Sequence, residues 1–260
     1  MYAYDSHLVL PPGVRRRDAA DIVGSDEVYT YARGDGSGSV AAFANEFRYR
    51  LLSRDAVTWV DTDVLCLSDA WPDDDYLFGW ESPLNEKCNN AVLRLPADSA
   101  VLSVLLTHAT EADRTTLEWG ATGPVLLTRL VRDMDLAQKA LASSTLYPIH
   151  FTECRMFVDP ALRDAADARC RGAIAVHLWD EIWTRRRIPP FFSPPSRSFL
   201  ADALARHHIT VPVRATYPDL SVFEYREPVP MVPQSDYDDV AAWAKSMEED
   251  LLARNRADGA

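Results

Sequence analysis

Positive charge is what this chain is short of: 27 Lys and Arg stand against 39 Asp and Glu, a formal net charge of −12. A protein that grips duplex nucleic acid needs a basic face to neutralise phosphates, so no nucleic-acid partner is expected. Cysteine is scarce too. Cys66, Cys88, Cys154 and Cys170 form no Cys-x-x-Cys pair and no metal-ligand spacing, which predicts reduced thiols in a cytoplasmic protein. No apolar run of membrane-spanning length and no secretory leader pattern is visible, so the chain is expected neither to cross a bilayer nor to export itself. The Gly/Ser stretch Arg33-Gly34-Asp35-Gly36-Ser37-Gly38-Ser39 lacks the Lys-Ser/Thr ending of a phosphate-cradling loop and reads as a flexible connection.

What is present suffices for one sizeable core: 260 residues, 47% of them hydrophobic, predict one domain with a tail. The most informative run is Val57-Thr58-Trp59-Val60-Asp61-Thr62-Asp63-Val64-Leu65-Cys66-Leu67. Val57 to Val60 reads as a buried strand that ends on two carboxylates, at the sheet edge where ligands bind. Carboxylates near a core are costly unless offset, and a divalent cation with a preference for hard oxygen ligands, magnesium or manganese, is the simplest offset. Asp61 and Asp63 are therefore candidate metal ligands. The same Asp-x-Asp spacing recurs at Asp73-Asp74-Asp75, Asp133-Met134-Asp135 and Asp236-Tyr237-Asp238, but none of these follows a continuous apolar strand. The plain alternative is a solvated turn in which Asp caps the next element.

The flanks carry a longer pattern. Phe43, Phe47 and Leu51 stand at helical spacing just upstream. Downstream come Phe78-Gly79-Trp80-Glu81, Asn89-Asn90-Ala91-Val92, Thr122-Gly123-Pro124 and His177-Leu178-Trp179-Asp180-Glu181-Ile182-Trp183. This succession, over about residues 40 to 185, resembles the glycosyltransferases of family 32 with the sugar-binding Asp-x-Asp region, near the alpha-1,4-glycosyltransferase and capsular-polysaccharide-synthesis branch. The resemblance implies an α/β fold of the GT-A type with a central mixed sheet, a manganese (or magnesium) ion, a nucleotide-sugar donor with UDP expected, and transfer of a hexose with retention to a glycan or lipid-linked glycan acceptor.

It also implies roles for residues. Asp61, Asp63 and His177 would hold the metal; Asn45, Arg48, Tyr49, Asn89, Asn90 and Trp183 would face the donor; Gly123 and Pro124 would lie on the acceptor side. Read alone, His177 is a lone His in an apolar run, ordinarily a core residue, Asn89-Asn90 is a turn signal, and Pro124 is a helix start. Three departures weigh against the family pattern. Ala44-Asn45 stands where the family has Ser-Asp, Ala56-Val57 where it has Gly-Gly, and Ile182 where it has Ser. The strand and helix that open the family's fold are also expected to be missing before Met1-Tyr2-Ala3-Tyr4-Asp5. The missing first strand and the Asn45 and Ile182 departures favour an alternative function, a degenerate, non-catalytic nucleotide-sugar or glycan-binding protein.

The remaining chain gives coarse expectations. Strands are predicted at Met1–Asp5, Tyr76–Glu81, Asn89–Leu95 and Ala173–Trp179, and helices at residues 41–54, 99–109, 125–141 and 198–206, with short strands and turns between 145 and 183. The basic, proline-rich and aromatic Arg185–Arg197 segment cannot be a regular helix, and its Arg185 to Phe192 part suits a peripheral contact with an anionic membrane surface at the inner face. The expected division is a glycosyltransferase domain over 1–215 and an extension over 216–260, with a strand at Tyr217–Tyr225 and an acidic amphipathic helix at Tyr237–Leu252.

Overall fold

In a computed structural model of the chain, the described residues are 1–34, 36–185, 193–209 and 220–223. They are mixed α/β, with parallel and antiparallel strand pairs in small sheets. The described residues fall in two compact units, the first from residues 1–59 and 94–137, the second from 60–93 and from those between 138 and 223.

The first unit opens with β1 (Tyr2–Ala3) and β2 (Arg17–Asp18), a short parallel pair in the register Tyr2↔Arg17. Helix α1 (Ala41–Arg54) follows, with Phe43, Phe47 and Leu51 buried together with Ala19 and Val23. The 3.6-residue period of those apolar side chains is what sets that face inward. Strand β3 (Trp59–Val60) begins as this unit ends. Two later helices complete the unit, which we label α2 (Ala100–Glu111) and α3 (Pro124–Asp133). Ser99 caps α2 by accepting from the Leu102 N–H, and Pro124 occupies the first turn of α3, where its missing N–H costs nothing. The Gly/Ser stretch is tied by main-chain bonds, Tyr31 N–H to Ser39 O and Gly38 N–H to Tyr31 O, with Gly34 and Gly38 at positive φ.

The second unit contains β4 (Val64–Cys66), β5 (Leu77–Trp80), β6 (Cys88–Arg94, its last residue in the first unit), the short helices α4 (Ser143–Leu146), α5 (Arg155–Val158) and α6 (Arg163–Arg169), strand β7 (Ala175–His177), and helices α7 (Asp180–Arg185) and α8 (Phe199–Arg206). Strands β3, β6 and β5 make one sheet in that order, and β4 pairs antiparallel with β7 in the register Val64↔His177, Leu65↔Val176, Cys66↔Ala175. Leu77, Val92, Tyr147, Ile149, Phe157, Val176 and Phe199 form its core.

Several expectations are corrected. The strands form three small sheets among the described residues, where one central mixed sheet was expected. The predicted buried strand over Val57–Val60 is a two-residue strand at the end of the sheet order, with Val57 39% and Val60 41% exposed. The helix predicted to run from 125 to 141 stops at Asp133. Asp135 turns left-handed (φ 55°) and the Leu136 N–H closes back on the Val131 carbonyl, the six-to-one bond by which helices commonly end. Between 145 and 174 the chain forms short helices, not strands. Of the expected strand at Tyr217–Tyr225, Leu220–Phe223 is a single 3-10 turn. The membrane-contact expectation falls almost wholly on 186–192, and the acidic helix wholly on 237–252, both outside the described residues. No helix among the described residues is long and apolar enough to cross a membrane.

Tyr147, 1% exposed, accepts the main-chain N–H of Val92 on its hydroxyl at 3.2 Å, tying β6 to the end of α4. Tyr147→Phe leaves that buried N–H short of an acceptor and is expected to cost about 1–3 kcal/mol of stability, measured by urea denaturation; a cost near zero would show that the bond does not hold β6.

Candidate functional site

The β4–β7 register builds the site. With Val64 opposite His177, the Leu178 N–H donates to the Asp63 carbonyl at 2.8 Å, so the ladder reaches back to the second carboxylate. Asp61 is held from the neighbouring sheet, its N–H donating to the Ala91 carbonyl of β6 at 2.8 Å, while its own carbonyl accepts the Val64 N–H at 3.1 Å. Residues 61 to 64 are thus a tight turn between two strands. That turn aims both Asp side chains at the end of β7, and ligand atoms of Asp61, Asp63 and His177 all lie within 4.8 Å of one another.

His177 Nε2 lies 2.9 Å from Asp63 Oδ2, and the Asp180 N–H donates to that same oxygen at 2.9 Å. Burial alone would push the Asp63 carboxyl up. The hydrogen bond and charge of His177, with the Asp180 N–H, outweigh it and hold the carboxyl below its ordinary value. The Asp180 carboxyl is pushed the other way, by burial first and then by the negative charge of Asp63.

Two carboxylates and an imidazole are the donor set of a hard or borderline divalent cation. Opposite ligands of a magnesium ion bound at about 2.0–2.1 Å stand about 4.2 Å apart, so modest side-chain rotation would close the cluster on an ion. The three residues therefore fit the metal that the family resemblance implies.

The other candidates fall in separate groups. In the first unit, Asn45, Arg48, Tyr49 and Gly123 are brought together around Thr122. Asn45 Oδ1 accepts from Arg48 at 2.8 Å, Asn45 Nδ2 donates to Thr122 Oγ1 at 3.4 Å, and the Tyr49 hydroxyl donates to the Thr122 carbonyl at 2.9 Å. The Arg48 guanidinium also lies over the Trp59 ring, 4.9 Å from its centroid. Arg48 is 3% exposed and Tyr49 is fully buried; Tyr49 ties α1 to the residue before Gly123, and Arg48 links Asn45 to the Trp59 ring. In the second unit, Asn89 is engaged at both ends, Nδ2 donating to buried Glu81 at 3.0 Å and Oδ1 accepting the Ala91 N–H at 2.8 Å. Asn90 is buried beside it in β6. Trp183 is buried in α7, edge-on to Phe223 at 5.3 Å.

Sequence reasoning assigned no role to Thr122, Glu81, Trp179 or the Asp180 N–H. The Thr-Gly-Pro start of α3 is a signal for the first. Backbone donors and left-handed residues leave none.

Comparison of the chain with protein-family models, with curated proteins and with solved structures gives no match. The resemblance described above therefore rests on the residues quoted for it.

Two expectations follow from this geometry. A Cβ built at Gly123 would stand 2.7 Å from Asn45 Nδ2, so Gly123→Ala is expected to cost about 1–3 kcal/mol by overpacking and distinctly less in an Asn45→Ala background; equal costs in both backgrounds would show that the two do not meet. The second concerns pH. Because the folded-state value of Asp63 lies below its unfolded one, its ionised form adds stability that is complete above the ordinary carboxylate value and is lost as pH falls through the folded value. In chelator, the stability gap between wild type and Asp63→Asn should be widest between about pH 5 and 7 and shrink below about pH 4; a gap unchanged from neutral pH to pH 3 would mean the pairing with His177 is not formed.

Proposed function

We propose that the chain is a metal-dependent retaining glycosyltransferase of the GT-A type, moving a hexose from a nucleotide sugar, UDP-linked as the first expectation, to a hydroxyl of a glycan or lipid-linked glycan. The observation that carries the reading is the convergence of Asp61, Asp63 and His177 within 4.8 Å. They are three ligands of two types that suit manganese, carboxylate and imidazole, with Asp63 and His177 114 residues apart in the chain. When bound there, a divalent cation supplies Lewis-acid stabilisation to a departing diphosphate. Asp61 and Asp63 would hold it through carboxylate oxygens and His177 through Nε2. No nucleophile of this chain is assigned. The reading carries with it a cytoplasmic enzyme of polysaccharide synthesis, working at the inner face of a membrane where its acceptor is lipid-linked.

A second reading has its own support. Asn45, Tyr49 and Asn89 already spend hydrogen bonds within the protein, which suits a non-catalytic nucleotide-sugar or glycan-binding protein. One experiment separates the two: a donor screen for manganese-dependent release of nucleoside diphosphate. For the enzyme, turnover is seen with one donor and is abolished by Asp63→Asn with the fold intact. His177→Ala should raise the manganese concentration for half-maximal activity at least tenfold, far more than it lowers thermal stability without metal. Saturable donor binding without release selects the binding protein, and wild-type turnover by Asp63→Asn removes the metal assignment.

A further inference from the structure

We infer that Trp179 is a positioning residue for the Asp63–His177 arm of the cluster, acting through a left-handed turn that its buried ring enforces. The inference rests on the metal-site reading above. Trp179 has φ +62°, a conformation that is a real outlier for a bulky residue and persists only where surrounding structure over-determines it. Here three contacts do so. The indole N–H donates to the Ile149 carbonyl at 2.9 Å, the ring centroid lies 4.2 Å from that of His177 with an edge contact to Phe151 and a tilted one to Tyr147, and the Trp179 carbonyl accepts the Ile182 N–H in the first turn of α7.

The turn decides where the next residue points. Continuing the β4–β7 register by three places past Val64↔His177 would set Asp180 opposite Asp61, carboxylate against carboxylate. Instead the chain turns at Trp179. The two N–H groups that flank it both end on Asp63, Leu178 on the main-chain oxygen at 2.8 Å and Asp180 on carboxylate Oδ2 at 2.9 Å. That oxygen also meets His177 Nε2, so its position is fixed by two donors on either side of one strained residue. The same ring packs on the imidazole, so Trp179 orients both ligands of the pair without being placed to touch the ion.

The test is manganese affinity, read from the free-ion electron paramagnetic resonance signal, on the full chain without donor. Trp179→Gly accepts the left-handed backbone but removes the ring; Trp179→Phe keeps a ring and loses only the indole bond. The expected result is at least tenfold weaker binding for Trp179→Gly and a change within about threefold for Trp179→Phe. Phe157→Ala serves as the control, a large loss from the same core that lowers the melting temperature and leaves manganese affinity unchanged. A folded Trp179→Gly variant with wild-type affinity overturns the inference. Should that variant not fold, amide exchange in the wild type decides: an Asp180 N–H slowed at least a hundredfold supports the turn, and one exchanging at the rate of an unstructured peptide overturns it. Wild-type protein that binds no manganese removes the metal reading itself, an outcome distinct from unchanged binding by the variant.

Discussion

Three residues facing three, in the register that sets Val64 against His177, are the constraint on which the candidate site depends. Side chains alternate faces along a strand, so a slip of one place would carry the imidazole to the other face and leave two carboxylates beside each other with no cationic or donor partner. What pins so short a pair is its surroundings. Leu65 and Val176 are buried in the core of the second unit, and the ladder is prolonged at both ends, by Leu178 on Asp63 and by Leu67 on Ile174. The main chain thus places the acids, and the acids' side chains then find His177 and the Asp180 N–H.

The first unit handles buried polarity differently. Glu46 is 1% exposed and lies between Arg50 at 2.8 Å and Arg114 at 3.5 Å, with Arg114 also over the Tyr29 ring. A buried carboxylate without such partners would be strongly destabilising. Burial, then the charge of Glu46, pushes the Tyr29 hydroxyl above its ordinary value, which keeps it neutral beside the acid. Beside it on α1, Asn45, Arg48 and Tyr49 close a second network on Thr122. The polar side of α1 is therefore invested in holding helices together, and a donor molecule meeting these groups would have to exchange against bonds already made.

How much of this was legible follows from the range of each signal. Helix α1 is readable to its ends, because the local period that defines it lies within a few residues. The strand before Asp61 was misjudged because a β-branched run does not say whether it lies at an edge, and Val57 and Val60 are 39% and 41% exposed. The helix ending at Asp133 was overrun because Leu136 continues the apolar period while Asp135, in a conformation Asp tolerates, reverses the chain. The pairing of Asp63 with His177 was suggested by the order of motifs and by nothing in their spacing. The left-handed Trp179 had no sequence signal, since its conformation is imposed by packing that assembles only in the fold.

The far side of the imidazole limits what the cluster can be. His177 Nδ1 is buried without a hydrogen-bond partner, whereas the far nitrogen of a metal-bound histidine ordinarily donates to an acceptor. In the structure it is Nε2 that meets Asp63, at 2.9 Å from Oδ2, so the cluster is built on that nitrogen. If a cation takes Nε2, the remaining ring proton must move to Nδ1 and lie buried without an acceptor, a penalty that subtracts from whatever the imidazole contributes as a ligand. The carboxylates carry no such penalty, because Asp63 keeps the Asp180 N–H when it exchanges imidazole for ion. The physical ordering of the three is then a pair of acids that would bear most of the ion's charge, and an imidazole that would add less as a ligand.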